Sequence, residues 1–255
     1  INVIPLKSFQ IIEYVSKVVI LLCSFLVIIY CTWSLDRGFE ITDEAYYLLL
    51  AIHADSQMYD LSGQRFITEG IWQVTHSLKG FRMAGMLLLI ASSCLLAFGS
   101  VVAFSKSRLG YASYGFARNN VIYATSIICA LLYATTINFS PCFNLLASAG
   151  AYASAGLVLL SLHSSGKWHR LALLLMAGSA LGVEFVSKPS AGLATLGVMI
   201  VWISLFGLSF WNKLISVVMI ISGLTLFTLA LIQTQTTNQD ILNMMNQSIE
   251  LFRMV

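Results

Sequence analysis

"VSKVVILLCSFLVIIYCTWSLDRGFEITDEAYYLLL", residues 15–50, changes character at Asp36. Up to Leu35 the run is apolar almost without interruption. A membrane-spanning helix needs about 20 such residues. The run is continuous rather than alternating, which argues for a helix and against a barrel strand. From Asp36 onward five charges follow in quick succession: Asp36, Arg37, Glu40, Asp43 and Glu44. The same contrast extends to the whole chain of 255 residues, of which 58% are hydrophobic and only 10% charged. Soluble domains carry about 25% charged residues, so a soluble globular domain is excluded. The sequence predicts an all-α membrane protein, a polytopic helix bundle.

Seven spans are expected, at 15–35, 81–104, 121–137, 145–162, 171–187, 191–210 and 214–232. Their loops divide by charge. Loop 105–120 holds Lys106, Arg108 and Arg118, loop 163–170 holds Lys167 and Arg170, and the turn near 211–213 holds Lys213, all without an acid. The positive-inside rule puts these loops, and the N-terminus with Lys7 and Lys17, in the cytoplasm. The other side receives loop 36–80, which carries seven of the eleven acids. The chain opens on Ile1, not Met. It is expected to be one transmembrane domain, 1–255, incomplete at its C-terminus, with 36–80 as its first extracytoplasmic loop. The five cysteines show no CxxC or metal-ligand spacing and read as small buried hydrophobes, except that Cys142 falls in a loop where its thiol could be exposed.

Within loop 36–80, residues 43–54 read as a helix lying in the membrane interface. Tyr46, Tyr47, Leu50 and Ala54 recur at helical spacing, and Thr42, Asp43 and Glu44 suit a helix start. Acids in a first turn also favour the positive end of the helix dipole, so capping and function both explain them. A carboxylate held at the surface could deprotonate a hydroxyl or bind a cation.

A second constellation is "GVEFVSKPSAG", residues 182–192. Glu184 and Lys188 stand four apart in the order that favours an ion pair on one helix face, and Pro189 then breaks the helix. Lys188 either snorkels to the interface with Glu184 merely pairing it, or faces a cavity and binds an anion such as a lipid phosphate. In a third stretch, 138–156, Pro141 and Asn144 make a turn before a span rich in Gly, Ala and Ser, which permits close helix packing.

Together these pieces resemble the GT-C superfamily of polytopic glycosyltransferases, nearest to glycosyltransferase family 39, the protein mannosyltransferase-like and aminoarabinose transferase-like branch. The resemblance is carried by the acidic pair Asp43–Glu44 followed by Tyr46 and Tyr47, by the turn Pro141–Asn144, and by "FVSKPSAG" with Phe185, Lys188 and Pro189. It runs from about residue 15 to 210.

The resemblance implies transfer of a sugar, with inversion, from a polyprenyl-phosphate donor to an acceptor hydroxyl or amine on the extracytoplasmic side. Asp43 would be the base, with Glu44 assisting. Lys188 would sit near the donor phosphate. Arg82 and Arg37 are further phosphate candidates by topology, and Tyr46, Tyr47, Asn144 and Glu184 are further site candidates. The implied partners are the lipid bilayer, the lipid-linked sugar and a glycan, lipid or protein acceptor; nothing points to nucleic acid. No cofactor is required by the sequence, and a divalent metal, bound by some relatives, has no ligand spacing here. The compact loops suggest the cell envelope, in a bacterial inner membrane. Family members usually run past ten spans, and residues 55–80 do not match them clearly. The competing readings are a transporter or lipid flippase, and an inactive fragment. Charges clustered at one surface, with no inverted repeat, speak against passage across the membrane.

Overall fold

A computed structural model describes residues 6–36, 43–52, 63–106, 116–137 and 139–235. The described residues form helices α1 (Leu6–Ser34), α2 (Asp43–Ile52), α3 (Gln64–Thr75), α4 (Leu78–Lys106), α5 (Phe116–Ile137), α6 (Phe143–Leu162), α7 (Lys167–Ser187), α8 (Pro189–Leu205) and α9 (Phe210–Gln235), with no strand among them. Every expected apolar run is a helix. Five of them, α1, α4, α6, α7 and α9, are long and apolar enough to cross a membrane, while α8 and the Asn120–Thr135 part of α5 are apolar but shorter. The chain is therefore an all-α membrane helix bundle.

α8 stops at Leu205, short of the expected 210. Phe206 turns extended (φ −75°, ψ 145°), and its N–H closes the last turn on the carbonyls of Trp202 and Ile203. At the other boundary, Lys188 both ends α7 and precedes α8. Its N–H bonds the Glu184 carbonyl at 2.7 Å and its own carbonyl accepts from Gly192 at 3.0 Å. Pro189 forces this break, because the residue before a proline is pushed out of the helical region; Lys188 sits at φ −148°, ψ 86°.

α6 lies at the centre, packed between α4 and α7; α7 also packs on α9, and α4 on α5, which holds α1. Burial follows this order: 67% of the α6 span is buried, against 11% for α1 and 17% for α9. Small residues make such packing feasible. A side chain on Gly178 of α7 would strike the Ile220 carbonyl of α9, and one on Gly223 of α9 would strike the Leu175 carbonyl of α7, so the two backbones touch. The hydroxyls of α6 find partners within the helix: Ser148, Ser154 and Ser161 donate to the carbonyls of Asn144, Ala151 and Val158. Such back-bonding spares a buried hydroxyl the cost of having no partner in an apolar medium.

α3 was not expected. It is short and too polar overall to read as a span, although its apolar residues recur at helical spacing; Gln64, Phe66 and Thr68 are its buried positions. Trp72, a turn further on, packs edge-on against Phe81 of α4 at 6.0 Å. His76 closes α3 in the left-handed region (φ 46°), and Ser77 starts α4 by accepting the Gly80 N–H at 3.1 Å.

Candidate functional site

The end of the bundle that carries α2 and α3 gathers two polar clusters. In the first, Arg82 near the start of α4 meets Glu44 in the first turn of α2, 38 positions away. Nε donates to Glu44 Oε1 at 2.6 Å and Nη2 to Oε2 at 2.5 Å. Nη1 donates to the Leu35 carbonyl, just past α1, at 2.8 Å. Ser140, in the turn between α5 and α6, donates to Glu44 Oε1. All of this is buried: Glu44 is 1% exposed and Arg82 4%. A forked, fully shielded pair of this kind is the strongest geometry available to Arg and a carboxylate. Four parts of the chain meet in it. The turn reaches α4 because Gly85 lacks a side chain; a Cβ there would collide with the Phe139 carbonyl.

The second cluster shares α2 and the same turn. Tyr47, one helical turn beyond Glu44, packs edge-on against Tyr46 at 5.5 Å and against Phe143 at 6.0 Å. Lys188 arrives from the α7–α8 break. Its Nζ stands 5.5 Å from the Phe143 ring centre and donates to Asn144 Oδ1 at 3.2 Å. An ammonium over a ring face gains cation–π attraction while keeping its other N–H donors. Lys188 is exposed, and among the described residues no carboxylate pairs with it. The arrangement offers two donors to an anion arriving at the bundle end.

The expected Glu184–Lys188 pair does not form. Pro189 pulls Lys188 out of the helix one residue before the pairing geometry would be complete. Glu184 stays inside the bundle, 2% exposed, where Oε1 accepts from Thr195 of α8 at 2.7 Å and Oε2 has no hydrogen-bond partner. Cys142 is also corrected: it is 3% exposed and packs with Tyr47 and Leu145, because its turn is folded under α2.

The expected site residues therefore distribute as follows. Glu44 and Arg82 hold each other in the first cluster; Tyr46, Tyr47, Asn144 and Lys188 form the second; Glu184 lies apart, within α7. Asp43 opens α2, beside both clusters in sequence, but its side chain and all of Arg37 lie outside the described residues. Sequence reasoning missed Ser140 and Phe143. Their only signal was proximity to the Pro141–Asn144 turn: Ser140 precedes it and Phe143 lies within it. At the surface, Lys79 pairs with Asp36 at 2.6 Å. Among the described residues no three of His, Cys, Asp and Glu come together as a metal site.

Comparison of the chain with protein-family profiles, with curated proteins and with solved structures returns no match. These comparisons do not bear on the GT-C resemblance, which rests only on its motif residues.

Proposed function

We propose that the protein is a membrane glycosyltransferase that moves a sugar from a polyprenyl-phosphate carrier to an acceptor hydroxyl or amine, with the reacting end extracytoplasmic in a bacterial inner membrane. The observation that carries this reading is convergence. Three stretches far apart in sequence, at 43–47, 139–144 and 188, meet at one end of an apolar bundle, where a lipid-borne phosphate would lie. In this reading the acceptor oxygen attacks the anomeric carbon, the bond from that carbon to the phosphate oxygen breaks, and the acceptor proton passes to Asp43. The leaving phosphate carries the negative charge, which Lys188 and Arg37 offset. Glu44 and Arg82 act together: their pairing fixes the first turn of α2, and so the position of Asp43.

The test is Asp43→Asn assayed for transfer from a polyprenyl-phosphate sugar. A positioned general base contributes about a hundredfold or more, so transfer falls at least that far while the folded protein remains. Unchanged transfer removes Asp43 from the reaction.

A second reading, a transporter or flippase, draws on one observation, the buried Glu184 with its unpartnered oxygen inside a candidate span. Loss of substrate passage in Glu184→Gln vesicles would favour it.

A further inference from the structure

The opposite end of the bundle presents a different chemistry. α7 and α9 both begin there, side by side. Arg170 Nη2 of α7 donates to Asn212 Oδ1 of α9 at 3.1 Å, and His163, just after α6, packs edge-on against Phe206 at 5.4 Å. Helix N-termini are positive ends and favour acids. Here neither first turn contains an acid, and the cations Lys167, Arg170 and Lys213 take those positions instead. Gly166 gives α7 no side-chain cap. Lys213 reaches back to the Ser204 carbonyl at 2.5 Å, and Arg170 Nε is buried without a hydrogen-bond partner. Among the described residues no carboxylate pairs with any of the three. Positive charge is thus stacked on two positive helix ends with nothing in the described protein to balance it.

Large apolar side chains close to these cations in sequence face outward. Leu205 and Trp168 are each 81% exposed, Phe210 72% and Trp211 69%. Tryptophan at the ends of spanning helices sits at headgroup depth, with its ring against lipid and its N–H toward water. A water-soluble anion would have no use for them.

We propose that this end is a docking surface for anionic phospholipid headgroups of the leaflet it meets, with Lys167, Arg170 and Lys213 on the headgroup phosphate and Trp168 and Trp211 against the chains. Charge complementarity selects the occupant: a zwitterionic headgroup brings its own cation and leaves the excess unbalanced, whereas an anionic one removes it. The proposal does not depend on the transferase reading, because it uses none of the residues at the α2–α3 end.

The test is native mass spectrometry of the full chain released from nanodiscs made of equal parts phosphatidylglycerol and phosphatidylcholine. Wild type is expected to retain phosphatidylglycerol preferentially. Each cation removed, by Lys167→Gln, Lys213→Gln or Arg170→Gln, should weaken that retention roughly fivefold and leave phosphatidylcholine unchanged. Lys167 is exposed, so Lys167→Gln keeps the test open if Arg170→Gln fails to fold. Millimolar inorganic phosphate should not displace the lipid. Equal retention of the two lipids, an unchanged preference in Lys167→Gln and Lys213→Gln, or displacement by inorganic phosphate would each overturn the proposal.

Discussion

The two ends of the bundle handle charge in opposite ways. At the α2–α3 end a cation and an acid are brought together from distant parts of the chain and buried: Arg82 and Glu44 satisfy each other, the Leu35 carbonyl and Ser140. At the α7–α9 end, three cations share two helix starts with no acid in either first turn. Charge of the first kind is architecture, since removing one partner strands the other in an apolar medium. Charge of the second kind has no acid to strand among the described residues: removing exposed Lys167 should cost the fold little, while Arg170 also ties α7 to α9 through Asn212.

That difference can be broken most forcefully at Arg82. Arg82→Ala leaves the Glu44 carboxylate buried without its partner, and a loss of about 3–5 kcal/mol is expected in reversible unfolding in mixed micelles. A loss below about 1 kcal/mol would mean that the pair is not shielded as described. Ser140→Ala sharpens the same point. It removes one charge-assisted hydrogen bond while the forked pair remains, so about 1.5–3 kcal/mol should be lost in the same measurement. Lys79→Ala should do least. Lys79 and Asp36 form an ion pair at the same end, but their side chains are 53% and 54% exposed, and solvent screening holds its worth below about 1 kcal/mol. If Lys79→Ala matched Arg82→Ala, burial would not be what separates architectural charge from the rest.

Much of this fold is legible in the sequence because lipid leaves the backbone few options. A continuous apolar run long enough to span must close its own hydrogen bonds, and a helix does so. The runs from Val15 to Leu35 and from Phe81 to Phe104 are legible for that reason. α3 is not legible in that way, because at 12 residues it is too short and too polar overall to read as a span, even though its apolar residues recur at helical spacing. The site is only partly legible. Asp43, Tyr47, Asn144 and Lys188 attract attention by residue type and neighbours, but nothing local in sequence announces that Glu44 and Arg82, 38 positions apart, belong to one cluster. The Glu184–Lys188 spacing misleads because the i,i+4 rule assumes a helix that continues, and Pro189 ends it at Lys188. Cys142 misleads because a turn between spans looks exposed until α2 is laid over it.

In the proposed function a lipid-borne phosphate reaches Lys188 at the α2–α3 end. The most direct measurement is native mass spectrometry of the purified chain with added polyprenyl phosphate, comparing wild type with Lys188→Ala. Lys188 is exposed and its side chain bonds only the Asn144 amide and the Phe143 ring among the described residues, so the substitution should leave the fold intact. Wild type is expected to hold a bound polyprenyl phosphate, and Lys188→Ala to lose about tenfold or more in occupancy, the worth of one charge-assisted hydrogen bond. Absence of the complex in wild type with the lipid in excess, or equal occupancy in the two proteins, would contradict the proposed function.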